Sequence, residues 1–140
     1  MDFEMVLLEL KKQGIGGCSQ VMAKLALDLT GQENPGLIRA MSGLTGGMGG
    51  AGSACGVLTG GAAALGFYAG KGEAHEIPHE DYKEMIKKFV DWFREEYGTD
   101  RCYDIIKGDK EYSQEVCPGI IEAGYYKMVE LLEEYGILDE

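Results

Sequence analysis

The most reactive side chains in this chain are four cysteines, Cys18, Cys55, Cys102 and Cys117. A thiolate can ligate iron or zinc, or it can attack a disulfide, and a lowered thiol pKa serves both uses. The gaps between the four, 36, 46 and 14 residues, contain no C-x-x-C pair. No zinc ribbon or thioredoxin-type motif is written locally, so any shared site has to be assembled by the fold. The competing reading is that each cysteine is a small apolar residue, buried and inert.

The elements that must position them read as helices. Phe3, Val6, Leu7 and Leu10 recur at helical spacing between an Asp2 cap and a Gly14 stop. Cys18 opens a second periodic stretch through Val21, Met22, Leu25 and Leu29, closed by Gly31. Asn34-Pro35 is a cap followed by a first-turn proline and leads into Leu37, Ile38, Met41 and Leu44. A glycine-rich loop follows, and from Ser53 the sequence reads as a buried helix. Gly52, Gly56 and Gly60 lie four apart on one face of it, beside Cys55. Absent side chains there predict close approach of another backbone, within the chain or across a homodimer.

Tyr82, Met85, Ile86, Phe89, Val90, Phe93 and Tyr97 mark an amphipathic helix over 80–97 that stops at Gly98. A short helix is predicted over Arg101 to Lys107, with Thr99 or Asp100 as its cap and Gly108 as its stop. The last is predicted to begin at Cys117-Pro118, with the proline in its first turn, and to run to Gly136. With no sustained period-2 alternation, residues 1–140 should form one all-α domain, a bundle of about six helices with a glycine-rich loop. On this reading all four cysteines stand at helix starts, where free N–H groups and the helix dipole favour a thiolate.

Here the sequence resembles the C_GCAxxG_C_C family of redox-active proteins. The resemblance rests on Cys18 after glycines, on Cys55-Gly56-Val57-Leu58-Thr59-Gly60 after a glycine-rich run, and on Cys102 and Cys117. The literal G-C-A is replaced, since Ala54 precedes Cys55 and Gly56 follows it. The resemblance implies an all-helical domain with a cysteine-based redox or iron–sulfur role. The related C-terminal region of split-Soret cytochromes implies a [2Fe–2S] cluster on Cys18, Cys55, Cys102 and Cys117. No C-x-x-C-H haem attachment sequence is present. The leading expectation is an electron-transfer protein with one [2Fe–2S] cluster; the alternatives are a dithiol–disulfide protein without metal and a zinc-stapled interaction module. Either redox class needs a partner to exchange electrons with.

Two other motifs mislead. His75-Glu76-Ile77-Pro78-His79 spells H-E-x-x-H, but Pro78 breaks the helical turn that would put both histidines on one face. Gly47-Met48-Gly49-Gly50-Ala51-Gly52 spells G-x-G-x-x-G without the preceding strand that dinucleotide binding requires.

Charge bounds the partners. The net charge is -11, and the imbalance lies in residues 71–140, which hold nine basic and nineteen acidic side chains. Such a surface repels nucleic-acid backbones and anionic membranes. Residues 40–70 carry no charge, but eleven of these 31 positions are glycine, and the continuous apolar part is too short for a span. The first residues lack a signal-peptide pattern, which points to the cytoplasm, where cysteines stay reduced.

Overall fold

The computed structural model describes residues 2–139. Helix α1 (Phe3–Lys12) starts where the Asp2 carboxylate accepts the Met5 N–H at 3.2 Å, and the chain turns away at left-handed Gly14. Helix α2 (Cys18–Asp28) buries Val21, Met22 and Leu25. In α3 (Pro35–Met41) Asn34 Oδ1 accepts the Leu37 N–H at 3.0 Å, and Pro35 supplies a first residue that needs no donor. The chain tightens through a 3-10 turn, Ser42–Leu44, into the glycine loop. Thr45–Met48 closes one turn that is not regular helix, because Gly46, Gly47 and Met48 all have positive φ.

Helix α4 (Gly56–Ala69) is the hub of the bundle, packed by α2 on one side and by α5 (Tyr82–Tyr97) and α7 (Lys110–Glu134) on the others. Glycines make this possible. A Cβ on Gly60 would lie 2.7 Å from Ser19 Cα, and one on Gly61 would lie 2.5 Å from the Phe89 ring. Phe89, Phe93, Met128 and Leu132 are fully buried around this hub. Each contributes on the order of 1.5–3 kcal/mol by leaving water. A smaller cluster, Ala23, Leu27, Ile38 and Met41, joins α2 to α3.

Among the described residues there are seven regular helices and no strand, so the all-α expectation holds, and each helix has a counterpart among the helical stretches read from the sequence. Three local readings change. Gly52 is not on the α4 helix, since it occupies a left-handed turn at φ +73° and α4 begins at Gly56. The short helix α6 (Cys102–Ile106) follows Arg101 and ends at left-handed Lys107. Most consequentially, α7 begins at Lys110, seven residues before Cys117. Asp109 is the stronger start signal, because its carboxylate accepts the N–H groups of Glu111 and Tyr112 at 2.9 and 3.3 Å. Pro118 is therefore inside the helix, where it has no N–H to give the Gln114 carbonyl. Buried Ile120, Ile121, Tyr125, Met128, Leu131 and Leu132 hold the helix together beyond it.

The H-E-x-x-H residues lie in the loop between α4 and α5. His79 is fixed there as a clamp. Its Nδ1 accepts the Asp81 N–H at 3.1 Å and its Nε2 donates to the Tyr135 carbonyl at 3.0 Å, tying the loop to the end of α7.

Candidate functional site

Cys18 and Cys55 are set by the contact between α2 and α4. Cys18 is the first residue of α2, and Cys55 is the cap residue of α4. A Cβ on Gly56 would collide with the Cys18 sulfur, so only glycine lets that thiol lie directly on the start of α4. Ser19, wholly buried, donates its hydroxyl to the Met41 carbonyl at 2.7 Å and fixes the first turn of α2 against the end of α3. Gly56 and Gly60 thus make the close approach expected of them, within the chain.

Cys102 is held by a device without a sequence signature. Ala54 and Arg101 form an isolated antiparallel bridge. On either side of it the Cys55 N–H donates to the Asp100 carbonyl at 2.8 Å, and the Cys102 N–H to the Ser53 carbonyl at 2.6 Å. Alternation along paired backbones places Cys55 and Cys102 on one face as diagonal neighbours, an arrangement with typical separations of about 7–8 Å. Behind Cys102, Gly47 leaves room for its Cβ. Cys117 comes from the middle of α7, one residue before Pro118, and not from a helix start.

Cys18, Cys102 and Cys117 open onto one cleft of about 990 Å³, while Cys55 is buried beneath it. All four are free thiols. Their charges would be mutually felt: Cys55 senses Cys18 and Cys102, Cys102 senses Cys18, and Cys117 senses Cys18 and Cys102. Cys18, felt at the other three thiols, and Cys102, felt at two, are in this electrostatic sense the central pair. A second cavity, about 500 Å³ beside Ile15, Leu27 and Ile38, has no cysteine on its wall.

The expected lowering of thiol pKa at helix starts is reversed at three positions. Burial pushes Cys55 up to about 12, against the pull of the Val57 and Leu58 amides at the start of α4. Burial also raises Cys117 to about 11, with the Cys18 and Cys102 charges adding to it. Cys102 moves up for the same two kinds of reason, burial first and the Cys18 charge second. Desolvation of an anion outweighs the helix-start contribution here.

The four thiols have the donor chemistry for iron or zinc, but their grouping differs from a ligand set. Among the described residues no three Cys, His, Asp or Glu side chains are arranged to hold one metal ion. As placed, the cysteines do not fit a closed four-sulfur zinc site, whose ligands all lie about 2.3 Å from one ion.

Two further residues of the cleft carry no motif. Lys11, in the last turn of α1, and Lys110, the first residue of α7, both reach its wall. Lys110 follows the Asp109 cap, so a correct start for α7 would have drawn attention to it. Among the described residues, no helix is long and apolar enough to cross a membrane.

Fold and site together define an all-helical bundle with a cysteine-lined cleft. Residues 17–131 match the family described as "Putative redox-active protein (C_GCAxxG_C_C)", and the chain belongs to that family. The matched span contains all four cysteines. No curated protein and no solved structure matches the chain.

Proposed function

We propose that this chain is a dithiol–disulfide redox protein in which Cys18 and Cys102 form the exchanging pair. The observation that carries the reading is the cleft itself, which exposes Cys18, Cys102 and Cys117 together, with the Cys18 charge felt at the other three thiols and the Cys102 charge at Cys55 and Cys117. Burial, which pushes Cys55 up to about 12 and Cys117 to about 11, makes these two poor attackers at neutral pH. In the cycle one central thiolate attacks a sulfur of an incoming disulfide, whose S–S bond breaks and releases one thiolate. The second central thiol, on losing its proton, attacks the protein-side sulfur of that mixed bond and expels the second thiolate. Two protein thiols lose two electrons and two protons, and the incoming disulfide gains them.

Single serine replacements test this. Cys18→Ser and Cys102→Ser should abolish reversible two-electron oxidation, while Cys55→Ser and Cys117→Ser leave most of it, read by thiol titration and intact mass. Four equal losses would overturn the pairing.

A second reading has an observation of its own, since the Cys18 charge is felt at all three of the other thiols, which come from separate segments. A [2Fe–2S] cluster uses four cysteines, so its uptake on anaerobic reconstitution with iron and sulfide should be weakened by every one of the four replacements. That pattern in visible and paramagnetic spectra would replace the exchange reading.

A further inference from the structure

The charge of the cleft differs from that of the chain. The net charge is -11, and nineteen of the acidic side chains lie in residues 71–140. Among the described residues the cleft wall nevertheless holds Lys11 and Lys110 and no aspartate or glutamate. Among the described residues neither lysine takes part in an ion pair. They come from opposite ends of the sequence and meet at the same mouth as the thiols. Between them the wall holds Thr45, Ser113 and Gln114, the two hydroxyls already donating to the Met41 and Lys110 carbonyls, and apolar surface from Leu7, Ile106 and Ile121.

Resting on the exchange reading above, we propose that the cleft binds a low-molecular-weight disulfide bearing anionic groups, with Lys11 and Lys110 receiving its negative ends. The volume, about 990 Å³, is at the upper end for small-molecule sites, which run to roughly 1,000 Å³. The thiols are half-buried on a concave wall, which a small molecule enters more readily than a disulfide on a flat protein surface. A bare acidic surface would repel such a substrate and attract a cationic one, so the two lysines decide the sign of selectivity. Chemically the substrate is the oxidant. Its S–S bond is broken, it leaves as two thiols, and the Cys18–Cys102 disulfide forms in the protein.

Charge-matched disulfide probes read this directly. The reduced protein is mixed with dianionic dithiobis(nitrobenzoate) and with dicationic cystamine, and each rate is divided by that of a neutral model thiol with the same reagent. The normalised anion-to-cation ratio should exceed one by on the order of tenfold at low salt, and shrink as salt screens the lysines. The Lys11→Gln/Lys110→Gln variant should bring the ratio to or below one, and Lys11→Glu/Lys110→Glu should invert it. Both lysines are exposed, and an unchanged far-ultraviolet spectrum and melting temperature would show that the variants fold. A wild-type ratio below one, or a ratio the variants do not move, overturns the anionic substrate. Mass analysis of the same mixtures follows the exchange separately. If no internal disulfide forms although the ratio behaves as expected, the exchange reading falls and takes the reduction step with it. If the disulfide forms but the ratio is flat, only the substrate class falls.

Discussion

The two sides of the cysteine cleft are built by opposite means. Cys18 and Cys55 rest on a floor where α2 and α4 touch through glycine, with Ser19 backbone so near Gly60 that not even a methyl group fits. Cys102 and Cys117 stand on a wall made from a five-residue helix and from a helix that carries a proline beside its cysteine. The floor lies in the nearly neutral half of the chain and the wall in the acidic half. Close packing leaves the floor no freedom, whereas α6 buries none of its residues and is tied on by the Cys102 and Tyr103 amides, and Pro118 loosens the start of α7.

Glycine substitutions give the largest expected effects, and they separate floor from mere helix. Gly60→Ala should destabilise the protein by about 1–3 kcal/mol, because its new Cβ meets backbone that cannot rotate away. Gly66→Ala, in the same helix with nothing within 4 Å, should stabilise it by up to about 1 kcal/mol through helix propensity. Urea unfolding of both variants measures the difference. Equal behaviour would mean that the floor is no tighter than the rest of α4. Gly56→Leu should also lower the melting temperature, and it should disturb Cys18 in addition.

Alkali acts on both sides at once. Cys55 and Cys117 titrate near 12 and 11 in the fold, above the ordinary value of 9.0 expected of them in the unfolded chain. Between the unfolded and folded values the unfolded chain loses protons that the native state keeps, so stability falls as pH rises through that window. The slope is about 1.4 kcal/mol per pH unit for each thiol, and below pH 9 it vanishes. Replacing both cysteines by serine should flatten the curve of stability against pH between 9 and 11. A curve that keeps its slope would place its origin in other groups.

How much of this was legible in the sequence depended on whether the signal was local. Helices α1, α2, α3 and α5 carry caps, stops and apolar stripes that a reading of a dozen residues captures, and they lie where expected. The Gly56 and Gly60 contact was legible too, because missing side chains four apart imply a neighbour. Gly52 shared the spacing but not the helix, since spacing does not reveal where a loop of left-handed residues ends. Cys117 was misplaced because Cys117-Pro118 imitates a helix start, while Asp109, eight residues earlier, actually caps it. The Ala54–Arg101 bridge joins residues far apart in the chain and leaves no period to read. Thiol pKa values depend on burial, a tertiary quantity, and so the local expectation had the wrong sign.

The finest test of the comparison is the cap of the wall. Asp109 accepts the Glu111 and Tyr112 N–H groups, and Asp109→Ala should cost about 1 kcal/mol, as such caps do. Where that loss is felt matters more than its size. Pro118 already removes the hydrogen bond to Gln114, so the first turns of α7 are joined to the buried part by a weakened ladder. Without the cap, residues 110–117 should open locally, and their amide hydrogens should exchange several-fold faster. Amides of α2 and α4 should keep their protection, since those helices are anchored through Ser19, Gly60 and the core beneath them. Cys117 should then react faster with a small alkylating reagent while Cys55 stays slow. If protection falls equally in α2, α4 and α7, floor and wall open as one cooperative unit, and the contrast between a tight floor and a looser wall does not hold.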